Sequence, residues 1–439
     1  MAYLYEQLLS PRHIRLIQIH REPSAPLTLS MHQVDLNDEP QYHALSYAWD
    51  GPWYTDVEER WSALIQPVSI NGQTVSIRQN LHDALLQLQL LGTWESIWID
   101  AICINQADIP ERNAQVGQMA RIYADAKKVL IWLGKEDRST ALAVRAVEKL
   151  QISMEEMLDG NIDPVFVRNQ TAGCTWTQEE KDAILEFFVK PRWFSRVWTV
   201  QEFILAREPE FLRGLVRLPL ESVWKGSLLL TFIPYIRDWN AVRGPVAELG
   251  YVRNFFGLTI VWYERRLSNP WLLSIGQNAY MFRRQQAFDA RDKVFGLAGI
   301  SGGCYLILCR VRISDSRLIE LSHQTIPYSL AVDYNKTVQT VFTEAALFHH
   351  AVSDGLQSLS SVGNRKLNKI ADLPSWVPDL TKDDAGTEVL AENREFCTAS
   401  HLNPVFDLSP NDPKCLNLSL AHIDRIDACH AMPRSCQGH

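Results

Sequence analysis

Several common signatures are missing from this chain. No two of its 8 Cys stand as a C-x2-C pair, so the usual anchor of a zinc site or a dithiol redox centre is absent. There is no P-loop and no G-x-G-x-x-G stretch, which argues against the common ways of cradling a nucleotide phosphate. Basic residues are in deficit, 43 Lys+Arg against 51 Asp+Glu, and the net charge of −8 speaks against a general nucleic-acid binder. No apolar run is long enough to span a bilayer; "GSLLLTFIPYI" is short and broken by Pro234. The first residues, "MAYLYEQLLSPRHIRL", lack the basic, apolar and small-residue order of a secretory signal. The sequence therefore predicts a cytoplasmic chain with no membrane span and no nucleic-acid partner, its cysteines reduced.

What is present is ordinary globular composition. Hydrophobic residues make up 46% and charged residues 21%, which excludes a disordered chain, and 439 residues call for more than one domain. The 14 Trp imply large buried side chains.

Strand and helix patterns alternate through the first half. "YHALSYAW" (42–49) reads as a strand bounded by Pro40 and "DGP" (50–52). "VSINGQTVSI" (68–77) reads as a hairpin turning at Asn71-Gly72. "NLHDALLQLQLL" places Leu81, Leu85 and Leu88 on one helical face, with Asn80 as N-cap. "SIWIDAICI" (96–104) is a continuous apolar run, as expected of a strand buried on both faces. A helix follows with Val116, Met119, Ala120 and Tyr123 at helical spacing, then a strand, "KKVLIWLG" (127–134). Further helices are expected over about 139–158 and from a capping box at Thr177 and Glu180 to Pro191. This order predicts βαβ units in a mainly parallel sheet flanked by helices, with ligands at the carboxyl ends of the strands. From about residue 211 to 385 the pattern is mostly helical, and 386–439 is irregular.

Three stretches, "YHALSYAWDG", "WIDAICINQADIPERNAQVGQMARIYADAKKVLIWLG" and "PRWFSRVWTVQEFILAR", resemble in order the HET domain of filamentous fungi, named for heterokaryon incompatibility. The resemblance covers about residues 40–207, within a first domain of 1–210 that also carries N-terminal strands. Downstream, "DARDKVFGLAGI", "VDYNKTVQTVFTEAA" and "LPSWVPDL" resemble segments that follow the domain in such proteins. The resemblance implies a TIR-like, flavodoxin-like fold, and a role in nonself recognition and programmed cell death. It implies partners among other incompatibility or signalling proteins, and self-association. In TIR domains that cleave NAD, a glutamate on an "S..W...E" helix is catalytic. The resemblance carries that role to Glu202, four residues after Trp198, with NAD as substrate and no bound cofactor. Ser195 stands one position further from the Trp than in that pattern, and Asp50 precedes Gly51. "SGGCYLILCRVRISDSRLIELSHQTI" (301–326) reads as an insertion or retained intron between two such segments.

Each candidate residue has a bland alternative. Glu202 near Trp198 and Phe203 would be desolvated and suited to stabilising a cation, or it pairs with Arg192, Arg196 or Arg207 and fixes its helix. Asp100, Asn105 and Gln106 follow a buried strand and could hydrogen-bond a ribose or an amide; alternatively Asn105 and Asp108 cap the next helix and Asp100 holds the strand end. Arg112 could clamp a phosphate, or pair with Asp100 or Glu202. Trp49, with Tyr47, could stack on a base or line the core. Cys103, between Ile102 and Ile104, reads as a buried thiol. Cys397, His401, Cys429, His430, Cys436 and His439 form a scatter without an anchor, and no metal site is assigned.

Overall fold

The computed structural model describes residues 4–20, 26–49, 64–92, 95–155, 164–232, 246–266, 274–301, 330–352, 370–382, 405–409 and 412–419. The "DGP" segment, the 301–326 stretch beyond Ser301, the C-terminal cysteines and histidines named above and most of 386–439 lie outside these residues.

Nine strands form one sheet: β1 (His13–Ile19), β2 (Leu27–Asp35), β3 (His43–Ser46), β4 (Ile65–Ile70), β5 (Gln73–Arg78), β6 (Ile97–Trp98), β7 (Lys128–Trp132), β8 (Pro209–Arg213) and β9 (Val216–Leu218). Their order is β5-β4-β2-β1-β6-β3-β7-β8-β9. The central block β6-β3-β7-β8 is parallel throughout, as the alternating pattern predicts. The flanks are mixed: β1 pairs antiparallel with β2 and β6, β4 with β5, and β8 with β9, while β2 pairs parallel with β4. The sheet is therefore mixed, and the parallel expectation holds for its centre, where β3 is buried along its whole length. Strands β4–β5 and β8–β9 are hairpins joined by short turns, which force antiparallel pairing, whereas β2–β4 is a parallel crossover pair in the flank.

The β4–β5 turn places Asn71 at φ 49° and Gly72 at φ 80°, the conformation for which Asn-Gly is selected. Two local readings change. The helix α1 (Gln79–Leu90) begins before Asn80, which is not its cap. Asn80 is buried, and its amide donates to Ala48 O (2.7 Å) and accepts from Trp132 Nε1 (2.9 Å). A buried amide needs partners on both sides, and tertiary contacts supply them here. The "SIWIDAICI" run is not one strand; after β6 the chain turns into a short helix, α2 (Asp100–Cys103). The Asp100 side chain accepts from Ala101 N (2.7 Å), and Gln106 Nε2 donates to Asp100 O (3.0 Å), so the polar residue ends the strand.

Helix α3 (Ile109–Asp125) is capped by Asp108, whose carboxylate accepts from Glu111 N (3.0 Å). Then come α4 (Arg138–Val147), α5 (Pro164–Thr171) and α6 (Gln178–Val189), the last with the expected capping box at Thr177 and Glu180. Helix α7 (Trp198–Leu205) buries every residue from Thr199 to Leu205, as expected of a helix apolar on nearly all sides. The later helices are α8 (Leu220–Thr231), α9 (Val246–Arg266), α10 (Ile275–Met281), α11 (Asp292–Ala298) and α12 (Val338–Val352). A hairpin of β10 (Val405–Ser409) and β11 (Asp412–Ser419) stands in the tail that reads as irregular.

Helix α7 packs against α3, α9 and α11, so segments far apart in sequence enclose it. An aromatic cluster joins it to the sheet and to α9: Trp193 contacts Phe203, Phe211 and Phe255 edge-on at centroid distances of 6.4, 5.6 and 5.9 Å. Phe203 also meets Phe255 at 5.2 Å and Trp262 at 6.1 Å. The geometry is that preferred by aromatic quadrupoles.

Candidate functional site

The carboxyl ends of the central parallel strands carry a chain of buried polar groups. Ser46, the last residue of β3, is 1% exposed, and Glu202 on α7 is 2% exposed. Ser46 Oγ donates to Glu202 Oε2 at 2.5 Å and accepts from Trp193 Nε1 at 2.7 Å. An indole N–H can only donate, so it occupies a lone pair of Ser46 and leaves the single hydroxyl hydrogen for Glu202. With Glu202 ionised, the donor order is therefore Trp193 to Ser46 to Glu202.

Burial pushes the Glu202 carboxyl up to about 7; Arg196 opposes this, Asp100 adds to it and the Ser46 bond opposes it. Asp100 is also raised, by burial first, against Arg196 and its bonds from Trp49 and Ala101. Trp49 Nε1 donates to Asp100 Oδ2 at 2.8 Å. Arg196 donates to the Tyr47 carbonyl and lies close enough to both carboxyls to lower each. Burial thus opposes ionisation of both acids, and the Arg196 charge favours it in both.

The predicted residues divide accordingly. Glu202, Asp100 and Trp49 come together at the strand ends, and Gln106 bonds to the backbone of Asp100. Asn105 does not join them through its bonds: Glu111 Oε1 accepts from its N–H (2.7 Å), and its side chain accepts from Ala107 N (3.3 Å). Glu111 is pinned in turn by Arg15, with bonds of 2.6 and 2.9 Å. Arg112 pairs with neither Asp100 nor Glu202; its guanidinium lies over the Tyr334 ring at 4.0 Å. Of the three arginines proposed as bland partners of Glu202, Arg196 is the one that acts on it, while Arg207 faces Asp125 at 3.5 Å. Cys103 is buried, its thiol pushed up to about 12 by burial, which fits an inert residue.

Sequence reasoning missed Ser46 and Trp193. The signal for Ser46 was a lone hydroxyl closing an otherwise apolar strand. It also missed that Gly299-Ile300-Ser301-Gly302-Gly303 satisfies G-x-S-x-G spacing. The context is wrong for a nucleophile elbow: Ser301 follows a helix, is buried, and donates to Leu297 O at 2.8 Å.

Residues 42–202 match the family model described as "Heterokaryon incompatibility protein (HET)". This chain carries a HET domain. The matched stretch begins at the strand that ends in Ser46 and stops at Glu202 itself. Over 415 residues the chain is 25% identical to "Heterokaryon incompatibility protein 6, OR allele" of Neurospora crassa, covering 84% of this chain and 57% of that relative. The HET-domain chain thus spans little more than half the length of the curated relative. No solved structure matches it. No helix among the described residues is long and apolar enough to cross a membrane, and no group of three or more His, Cys, Asp or Glu among them is placed to hold a metal ion.

Proposed function

We propose that this HET domain cleaves the nicotinamide–ribose bond of NAD or a related nucleotide, with Glu202 as the working carboxylate. The observation that carries the reading is the burial of Glu202 against Ser46 at the carboxyl end of the central parallel block. That is where doubly wound sheets bind ligands. Counted in chain order, the parallel strands run 2-1-3-4, the beginning of the flavodoxin-like order, which supports a TIR-like fold. In the reaction, the bond from ribose C1′ to the ring nitrogen breaks, and its electron pair neutralises the pyridinium. The oxocarbenium-like centre left behind is stabilised by ionised Glu202, and water adds at C1′ with loss of a proton. A carboxyl near 7 is divided between the form that stabilises the cation and the form that carries the proton. NAD is the substrate, and no bound cofactor is required.

In the cell this activity would act in heterokaryon incompatibility, as the name of the Neurospora relative indicates, and lead to programmed cell death after nonself contact. The setting is cytoplasmic, with self-association and other incompatibility proteins as partners. A second reading, a non-catalytic association module, is favoured by one observation: Glu202 is only 2% exposed. The two separate in one assay. NAD loss by the purified full chain, abolished by Glu202→Gln, supports cleavage; no loss in any assembly state supports the module.

A further inference from the structure

The motif "DARDKVFGLAGI" lies outside the matched stretch, yet its residues reach α7. Asp292, the first residue of α11, accepts a hydrogen bond from Tyr334 Oη at 2.8 Å, and the Trp198 indole lies close enough to its carboxyl to favour the ionised form. One turn later on the same face of α11 stands Gly296. A Cβ there would lie 3.3 Å from Val197 and 3.5 Å from Trp198, so the missing side chain admits α7 closely. At Gly299 a Cβ would lie 2.6 Å from the Ala120 Cβ and 2.8 Å from Gln201 Oε1. The backbone is joined as well: Gln286 O accepts from Val197 N (2.9 Å), Gln286 N donates to Ser195 O (2.5 Å), and Gln285 Nε2 donates to Phe194 O (2.9 Å).

Tyr334 ties this assembly to the α/β unit. Its ring lies beneath Arg112, its N–H donates to Asn113 Oδ1 (3.0 Å), and its carbonyl accepts from Arg291 (2.6 Å). Asp292 is 9% exposed, and its carboxyl is pushed up to about 6, by burial first, with the Tyr334 bond and the nearby Trp198 indole opposing. A buried carboxyl bonded to one donor beside an indole is a directional anchor, since losing its partner leaves a desolvated group.

We infer that Asp292 is a positioning residue: by anchoring the Trp198 indole on the glycine face of α11, it sets the helix that presents Glu202 to Ser46. The inference deepens the proposed function and rests on it only in naming Glu202 as the working group. The positioning itself is open to a test that needs no turnover. Three indole N–H groups report on it. Trp198 reads the anchor, Trp193 reads the Ser46–Glu202 chain, and Trp132, bonded to Asn80, reads the opposite side of the central sheet.

The experiment records the indole N–H resonances of the full chain, each assigned by a single Trp→Phe variant. In Asp292→Leu the Trp198 and Trp193 resonances move and the Trp198 N–H exchanges with water at least about tenfold faster, while Trp132 stays in place. In Asp292→Asn, which keeps the side chain's shape and one acceptor oxygen for Tyr334, Trp193 returns to its wild-type position. Trp193 unmoved in Asp292→Leu overturns the inference, as does a shift that Asp292→Asn fails to reverse. Should Asp292→Leu not fold, Gly296→Ala takes its place, and an unmoved Trp193 there overturns the inference equally. In parallel NAD assays, Asp292→Leu lowers kcat about tenfold or more with little change in KM, because the bound ground state is untouched. Absence of NAD loss in the wild type would defeat the proposed function alone, and the resonances would still decide the positioning.

Discussion

Glu202 is a load on the fold whose size depends on pH. Its carboxyl rises from 4.5 to about 7 on burial, so the folded state binds more protons than the unfolded chain between those values. The contribution of the protonated group to stability is complete below about pH 4.5 and is lost as pH rises through about 7, a change on the order of 3 kcal/mol. Asp292, raised to about 6, acts in the same direction. Glu202→Gln keeps the acceptor for Ser46 and removes the proton. The unfolding temperature of the wild type should therefore fall relative to Glu202→Gln between about pH 5 and 8. Parallel curves would contradict the burial of an ionisable Glu202. Ser46→Ala should cost roughly 1–3 kcal/mol in denaturant melts, since it strips the acceptor from the buried Trp193 N–H and the donor from Glu202. A loss well under 1 kcal/mol would show that the Trp193–Ser46–Glu202 order does not exist in solution.

At the scale of elements, what could be read in advance was what neighbours in sequence decide. The Asn71-Gly72 hairpin, the Thr177–Glu180 capping box and the β7 strand are local, and all are present. Gly72→Val tests the first. A β-branched residue at φ 80° should destabilise the chain by about 1–2 kcal/mol in thermal melts, while a neutral result would mean the turn relaxes freely. Misread elements were those decided at a distance. Asn80 looked like a cap because its partners, Ala48 and Trp132, are 32 and 52 residues away. "SIWIDAICI" looked like one strand because an apolar run does not reveal that Asp100 turns the chain into a helix; periodicity alone cannot separate the two. Glu202 was legible as a candidate from its neighbours and from the family resemblance. Ser46, which faces it across 156 residues, was not.

For the whole molecule, α7 is the junction. The matched HET stretch ends on it at Glu202, yet Phe255 and Trp262 of α9, the Gln285–Gln286 backbone and α11 complete its surroundings. Phe255→Ala should cost about 3–5 kcal/mol in denaturant unfolding, as for a large aromatic deleted from a close-packed core. A chain cut after residue 210 loses these partners, most of strand β8 and all of β9, and should bind a hydrophobic dye and unfold without a cooperative transition. A cooperative, dye-free fragment would show that the α/β unit stands alone. The claim on which the functional account rests is tested most directly by NAD loss in the purified full chain, wild type against Glu202→Gln, across assembly states. The account predicts cleavage by the wild type and a loss of at least about a hundredfold in the variant, of the size expected when a group stabilising transition-state charge is removed. Equal cleavage by the two proteins, or none by the wild type in any state, would contradict it.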